Sequence, residues 1–293
     1  MYPMLYAFFG PDGALDRSSI TRQVQACMGG GAHGIAVLGL ATEVGKLQEG
    51  ERRALVQWVV SEVAGKLPVA VTVSGENADA QVAFARWATG EGASWVILQP
   101  PVARDRPESW LAEFFADVID RIDIPCAIQN APEYLGVGLT PEWIRWLKER
   151  CSNFTLLKGE GPVLTIREAI HAVDGRLSVF NGRGGLELTD NLRAGCAGMI
   201  PATDTFDYQV RIFERMRVGG DDNECEAEAL YRRVLPAIVF TLQSLQTLIC
   251  YGKRIAAFRL GLGPVHDRAP ALVPTDFGIE CARRYAAQLG PLP

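Results

Sequence analysis

The 293-residue chain has a net charge of -5, with 48% hydrophobic and 22% charged residues, a composition typical of a globular protein with ample material for a core. The charge provides no basic field for nucleic acid, and no apolar run is long enough to span a bilayer. Seven scattered cysteines without a C-x-x-C pair and three distant histidines predict reduced thiols in the cytoplasm, with neither a disulfide framework nor a metal site.

The chain predicts alternating strands and helices. Residues 1–9 are apolar but lack a basic region and run into the turn 10–13, so they predict a first strand and not a signal peptide. The predicted strands lie at residues 5–9, 33–38, 69–73, 94–98, 126–129, 154–158, 177–180 and 196–200. The predicted helices lie at residues 16–28, 48–64, 78–89, 108–121, 140–150, 162–173, 185–194 and 206–217.

Eight strands alternating with eight helices predict parallel βα units closed into a (β/α)8 TIM barrel. A doubly wound open sheet is the alternative, but no G-x-G-x-x-G follows the first strand. Beyond residue 220 the strand pattern stops, and helices are predicted at 224–245, 248–260 and 276–288. We therefore expect a barrel over residues 1–220 and a C-terminal helical extension, 221–293, packed on it.

Lys158 ends the apolar strand Phe154-Thr155-Leu156-Leu157-Lys158. Burial at a strand end disfavours the ammonium form, and a neutral amine is the nucleophile that attack on a ketone carbon requires. The alternative is a lysine that extends from the strand end to water. Of the five lysines, Lys158 is the only one predicted to end a barrel strand. Lys253 is expected on a solvated helix face.

The carboxyl ends of barrel strands carry the chemistry in this fold. Here they supply one lysine, two carboxylates and neutral hydroxyls and amides: Gly39, Ala41, Thr42, Glu43, Ser74, Gln129, Asn130, Lys158, Glu160, Asn181, Gly182 and Thr203. This set suits addition to an uncharged carbonyl with few acid–base groups, and it lacks the carboxylate cluster of a divalent-metal site. No cofactor is implied.

The chain resembles the dihydrodipicolinate synthase / N-acetylneuraminate lyase family of Schiff-base (class I) aldolases and lyases. Residues 39–43 stand where that family carries G-T-T-G-E, residues 129–132 where it carries Y-N-x-P, and Lys158 where it carries the Schiff-base lysine. The resemblance implies a TIM barrel, commonly a tetramer, that binds a 2-oxo acid covalently through Lys158. A homotetramer or homodimer is therefore expected.

The chain departs from the family pattern in its proton relay. The second threonine corresponds to Ala41, the relay tyrosine to Gln129, and the tyrosine after the strand-four prolines is replaced by Val102-Ala103. The arginine that dihydrodipicolinate synthases use for a second carboxylate falls at Tyr134. These departures argue against lysine biosynthesis.

The 2-keto-3-deoxy-L-arabonate dehydratase branch is similar in these same places. It shares the glutamine of Q-x-A-P (Gln129), the hydroxyl–glutamate pair (Thr42-Glu43) and the K-x-E pair (Lys158 and Glu160). Glu160, two residues beyond Lys158, is the expected general acid–base. Gln129, Ser74, Asn181 and Thr203 are candidates to orient substrate hydroxyls, and the Gly39 turn with Thr42 to bind the carboxylate.

Three functions stay open on the sequence alone. The first is a Schiff-base hydro-lyase acting on a 2-keto-3-deoxy sugar acid such as 2-keto-3-deoxy-L-arabonate. The second is a class I aldolase that releases pyruvate from a 2-oxo acid. The third is a non-catalytic homologue that binds a 2-oxo acid, for which the loss of the relay hydroxyls argues. Glu43 is expected to be structural, and Gly182 to provide turn geometry or room.

Overall fold

The computed structural model describes residues 1–102 and 106–293; Ala103, part of the missing-tyrosine comparison, lies outside the described residues. Its centre is a sheet of seven parallel strands paired in sequence order. The strands are β1 (Ile35–Val37), β2 (Val69–Val73), β3 (Trp95–Leu98), β4 (Cys126–Asn130), β5 (Phe154–Gly159), β6 (Ser178–Asn181) and β7 (Gly198–Met199). Each lies close to a predicted strand.

The N-terminal segment closes the barrel between β1 and β7. The Met4 amide donates to the Pro201 carbonyl at 2.7 Å, and the Leu5 amide donates to the Ala36 carbonyl at 3.0 Å. Met4 thus forms parallel bridges to both Ala36 and Ala202. The TIM-barrel fold is confirmed, with this segment in the place of an eighth strand.

The first strand is shifted from its predicted position at 5–9. The pairing is centred on Met4 and does not continue past Leu5, because the Tyr6 amide donates instead to the side-chain oxygen of Gln23 at 3.0 Å. Phe9, predicted within the strand, forms antiparallel bridges with Leu15 and His266. A buried glutamine on the first helix therefore ends the pairing.

Helices separate the strands as predicted. They are α1 (Arg17–Gly29), α2 (Glu49–Val63), α3 (Ala78–Glu91), α4 (Glu108–Ile119), a short α5 (Pro132–Leu135), α6 (Pro141–Arg150), α7 (Val163–Ala172), α8 (Leu188–Arg193) and α9 (Phe206–Val218). The helix expected from residue 185 begins at Leu188, because Gly184, Gly185 and Glu187 have φ of 62°, 98° and 54°. Such left-handed residues cannot continue a right-handed helix.

Helices also make up the C-terminal region: α10 (Asp221–Thr241), α11 (Leu245–Thr247), a π-helical turn (Leu248–Gly252), α12 (Lys253–Leu260) and α13 (Asp276–Leu289). Arg259 of α12 pairs with Asp207 of α9 at 2.7 Å. Lys253 is fully buried and pairs with Glu43, so the expectation of a solvated Lys253 is wrong. The ion pairs hold this region against the barrel. The division at residues 220 and 221 stays a prediction.

The barrel wall separates two apolar layers. Ala36, Ala70, Ile97 and Ala127 belong to an inner cluster, together with Met4. The alternate strand residues pack outward against the helices, as the period of two requires. On β5 this alternation places Leu156 and Lys158 toward the interior.

Within the described residues, no single helix is long and apolar enough to cross a membrane; α10 and the segment Leu245–Leu260 meet that length and composition only together, and they are bent by 108°.

Candidate active site

Lys158 and Glu160 form a buried ion pair at the carboxyl end of β5. The Lys158 Nζ lies 2.8 Å from the Glu160 Oε1, and both side chains are 4% exposed. Residues two apart on an extended chain lie on one face, and the Glu160 amide continues the extended pairing by donating to the Asn130 carbonyl at 2.9 Å. The pair is therefore held by backbone pairing as well as by its charges.

Gly182 provides the room that this pair occupies. A Cβ at this position would lie 2.8 Å from the Glu160 Cγ and 2.9 Å from the Lys158 Cε, closer than real Cβ contacts. Any larger residue would have to displace both side chains. Gly182 therefore leaves room for the Lys158 and Glu160 side chains. Its sequence context predicted that it provides turn geometry or room.

Amide side chains on β4 and after β3 form a hydrogen-bonded chain that ends at Glu160. Gln129 Nε2 donates to Glu160 Oε1 at 2.7 Å, and Gln99 Nε2 donates to Gln129 Oε1 at 2.9 Å. Because Gln99 occupies the oxygen of Gln129, the nitrogen of Gln129 faces the carboxylate. Glu160 Oε1 thus accepts hydrogen bonds from both Lys158 and Gln129.

A narrow cavity of about 40 Å³ opens beside this pair. Its lining is mostly apolar: Met4, Leu40, Ala41, Tyr134, Lys158, Glu160, Gly182, Gly184, Ile200, Ala202, Leu242, Leu245 and Leu248. Burial and the nearby Glu160 carboxylate raise the pKa of Tyr134. Tyr134 is therefore a protonated phenol at neutral pH, and it lines the same cavity as Lys158 and Glu160.

The turn after β1 forms one wall of the cavity. Leu40 and Ala41 line it, whereas the Thr42 hydroxyl donates to the Leu5 carbonyl at 2.7 Å. The Gly39 amide points at the sulfur of Met4, 3.2 Å away. Glu43 is not among the residues that line the cavity, and it pairs with Lys46 at 2.5 Å and with Lys253, which agrees with its expected structural role.

The remaining predicted substrate-binding residues lie at the strand ends, and the protein engages each of their side chains. Asn181 donates to the Gly161 carbonyl and to Asn191, both at 2.9 Å. The Thr203 hydroxyl donates to Gln23 at 2.9 Å. These contacts hold loops in place and lie outside the cavity lining.

Ser74 and Asn130 are also turned toward the protein. Arg52 donates to the Ser74 hydroxyl at 3.4 Å. Asn130 exchanges two hydrogen bonds with the backbone of Leu139, at 3.0 and 2.7 Å. It lies against a second cavity of about 560 Å³, and Glu160 lines both cavities. Among the predicted substrate-binding residues, Ala41 and Gly182 are those that line the cavity beside Lys158.

Comparison with known proteins identifies the family to which the chain belongs. Residues 1–251 match the sequence model of the dihydrodipicolinate synthetase family. The chain belongs to this family. An L-2-keto-3-deoxyarabonate dehydratase of Azospirillum brasilense is 30% identical over 247 residues, which cover 81% of this chain and 78% of the relative.

Two further members show how widely the similarity extends. A 4-hydroxy-tetrahydrodipicolinate synthase of Symbiobacterium thermophilum is 26% identical, covering 96% of this chain and 94% of the relative. Among solved structures, YagE of Escherichia coli K12 in complex with pyruvate superposes with a TM-score of 0.88 at 22% identity, covering 99% of this chain and 98% of that one. The family comprises lyases and aldolases, so the chain is assigned to that broad class of enzymes.

The sequence analysis did not identify several residues that line the cavity beside Lys158 or contact its lining. Leu242, Leu245 and Leu248 come from the C-terminal helices, far along the chain from β5, and nothing in their local sequence marks them. Tyr134 was noted only as the position of a missing arginine. Gln99 was visible at a strand end, but its role depends on an amide contact across two strands.

Proposed function

We propose that this protein is a Schiff-base-forming hydro-lyase that removes water from a 2-keto-3-deoxy acid bearing a hydroxyl at C4. The observation that carries the proposal is the buried Lys158–Glu160 pair at 2.8 Å, with Gln129 donating to the carboxylate. The name of the Azospirillum brasilense relative makes the sugar acid 2-keto-3-deoxy-L-arabonate the first substrate to test.

Imine formation begins with a proton transfer within the pair. Glu160 takes a proton from the Lys158 ammonium, and the neutral amine attacks the ketone carbon at C2. A second proton of the nitrogen moves to the former ketone oxygen, and Glu160 returns to it the proton that it took. The oxygen leaves as water, which leaves a protonated imine on Lys158 and Glu160 again as a carboxylate. The turn at Gly39 and Thr42 is our candidate for the substrate carboxylate, which backbone amides would bind.

Dehydration then requires one base and one acid. The protonated imine accepts electrons, so the Glu160 carboxylate removes a C3 proton and an enamine forms. The protonated Glu160 returns this proton to the C4 hydroxyl, which leaves as water while a C3–C4 double bond forms. Hydrolysis of the imine frees Lys158. The sum is loss of one water, with no oxidant or reductant.

Gln129 explains how the reaction proceeds without a phenol at that position. An amide donates a hydrogen bond but does not exchange a proton at neutral pH. It therefore holds Glu160 in place and leaves the proton transfers to this one carboxylate. Tyr134 also lines the cavity and is our candidate to hydrogen-bond the departing hydroxyl.

Intact-mass measurement after incubation with pyruvate and borohydride tests the first step. We expect a reduced adduct on the wild type and on the control variant Lys66→Ala, whose lysine is exposed, and none on Lys158→Ala. If Lys158→Ala also retains the adduct or its dehydratase activity, Lys158 is not the nucleophile and the proposal fails.

Aldol cleavage is the second candidate, because the same carboxylate can remove a proton from the C4 hydroxyl instead of from C3. Pyruvate release, followed with a lactate dehydrogenase couple, separates cleavage from dehydration. An imine adduct without turnover over a panel of 4-hydroxy-2-oxo acids would indicate a non-catalytic binder of 2-oxo acids. We further propose a homotetramer or homodimer, which sedimentation velocity tests.

A further inference from the structure

The cavity beside Lys158 is apolar beyond the reacting groups. Leu242, Leu245 and Leu248 of the C-terminal helices face it. Leu242 packs directly on the Gly184 backbone, where an added Cβ would lie 2.5 Å from its Cδ1. Among the described lining residues, only Lys158, Glu160 and Tyr134 have polar side chains, and the contacts of these three place them at the reacting end.

The hydroxyls and amides around the barrel mouth do not supply the polar contacts that this apolar wall lacks, because they bind other protein groups. Thr42 donates to a backbone carbonyl, Thr203 donates to Gln23, and Asn181 donates to the Gly161 carbonyl and to Asn191. Redirecting one of them to a ligand would leave a buried protein group without its partner, which is costly. The Thr203 and Asn181 side chains, which were expected to orient substrate hydroxyls, are therefore occupied, and so is the hydroxyl of Thr42, which was expected to help bind the carboxylate.

We infer that the substrate carries a short apolar group beyond C4, so that the preferred class is a 4-hydroxy-2-oxo acid with an alkyl end and not a polyhydroxylated sugar acid. This inference rests on the proposed function. An alkyl end packs on the leucines, whereas a hydroxyl buried there loses its water without gaining a partner.

The reaction on such a substrate is the same and balances in the same way. The C3 proton and the C4 hydroxyl leave as water, and a conjugated 2-oxo-3-enoate is released. The apolar end takes no part in bond making. Its contribution is binding energy, which the leucines of the C-terminal helices supply.

A matched pair of substrates tests the inference. 4-Hydroxy-2-oxopentanoate and 2-keto-3-deoxy-L-arabonate differ by a single hydroxyl at C5. We expect kcat/KM for dehydration to be about tenfold or more higher for the former, since burying a hydroxyl without a partner is unfavourable by an amount of that order. Equal values, or a preference for the dihydroxy acid, would overturn the apolar class.

Variants of one leucine test whether the wall causes the preference. Leu245→Ser supplies a hydroxyl to the wall and should reduce the ratio of the two kcat/KM values at least about fivefold. Leu245→Ala, which only removes packing, should lower both values with a smaller change in their ratio. Leu164→Ser, on an exposed leucine of α7, is the surface control. If the ratio is unchanged in Leu245→Ser, the leucine wall does not cause the preference, and this part of the inference is overturned.

Borohydride trapping distinguishes failure of this inference from failure of the proposed function. Both acids should give a reduced adduct on wild-type Lys158 if imine chemistry operates. Adducts with both acids and a preference for the dihydroxy acid would overturn the apolar class alone. Adducts with neither acid, nor with pyruvate, would overturn both proposals.

Discussion

At the scale of single residues, the candidate site depends on Lys158, Glu160 and Gly182, and the sequence analysis named all three. Lys158 and Glu160 were predicted on one strand face from their spacing, and the structure holds them 2.8 Å apart. Gly182 was predicted to provide room, and it does so beside both. The contacts of Thr203 and Asn181 were not predictable, because their partners Gln23 and Asn191 lie on other elements.

Gly182→Ala should disable the site while preserving the fold. The added methyl would lie within 3 Å of both Glu160 and Lys158, so the pair must separate. We expect dehydration to fall at least about 100-fold, with the thermal unfolding midpoint close to that of the wild type. Gly50→Ala, where a Cβ meets no atom within 4 Å, is the control. Full activity in Gly182→Ala would show that the pair's geometry is not required.

Glu160→Gln should separate imine formation from dehydration. The amide keeps the size of the side chain but cannot carry the C3 proton, so the dehydration rate should fall by about 10²–10⁴-fold. The borohydride adduct with pyruvate should still form, although more slowly. Steady-state kinetics and intact mass measure the two steps, with Glu62→Gln on α2 as the control. Unchanged dehydration in Glu160→Gln would exclude Glu160 as the acid–base.

At the scale of elements, the helices and strands followed from local pattern, but their docking did not. The alternation of apolar runs with helical segments located helices α1 to α4 and α6 to α9 and strands β2 to β6, whereas the short helix α5 was not predicted. The end of the first strand moved because of a distant contact, since Gln23 accepts from the Tyr6 amide. Lys253 was assigned to solvent because helix periodicity does not reveal a buried glutamate contributed by the turn after β1.

The buried Lys253–Glu43 pair should be the main polar attachment of α12 to the barrel. Burial lowers the pKa of Lys253, and the Glu43 carboxylate opposes that shift. Lys253→Met leaves the buried Glu43 with Lys46 alone, so we expect a loss of about 3–5 kcal/mol in the free energy of unfolding, measured in urea. The double variant Lys253→Met/Glu43→Gln should recover part of this loss, and Lys66→Met should be neutral. Additive losses in the double variant would show that the pair is not coupled.

At the scale of the whole molecule, Asp204 connects three parts of the chain that are distant in sequence. The Tyr6 hydroxyl donates to Asp204 at 3.1 Å and approaches the Leu248 carbonyl at 3.5 Å, while Arg259 donates to the Asp204 carbonyl at 2.7 Å. Burial raises the pKa of Asp204 to about 6. Between about pH 4 and pH 6, the folded protein therefore holds a proton on Asp204 that the unfolded chain has released.

This proton predicts a pH dependence of stability. The folded pKa of about 6 lies above the usual aspartate pKa of 3.8, so the contribution of Asp204 to stability is fully present below about pH 4. It is lost as pH rises to about 6, by about 3 kcal/mol in total. Urea unfolding should show the wild type losing stability relative to Asp204→Asn over this range, whereas exposed Asp123→Asn should follow the wild type. A constant difference between wild type and Asp204→Asn would contradict a shifted carboxyl.

Closure of the barrel by the segment around Met4 has a consequence for how the chain acquires its structure. Met4 pairs with Ala202 as well as with Ala36, so the segment around Met4 is synthesised nearly two hundred positions before one of its partners. Contacts of such sequence separation form slowly. Until β7 emerges from the ribosome, the edge of β1 and the apolar side chains around Met4 stay uncovered and are open to aggregation. We therefore expect the nascent chain to benefit from chaperones, and its soluble yield to rise when translation is slowed or temperature lowered.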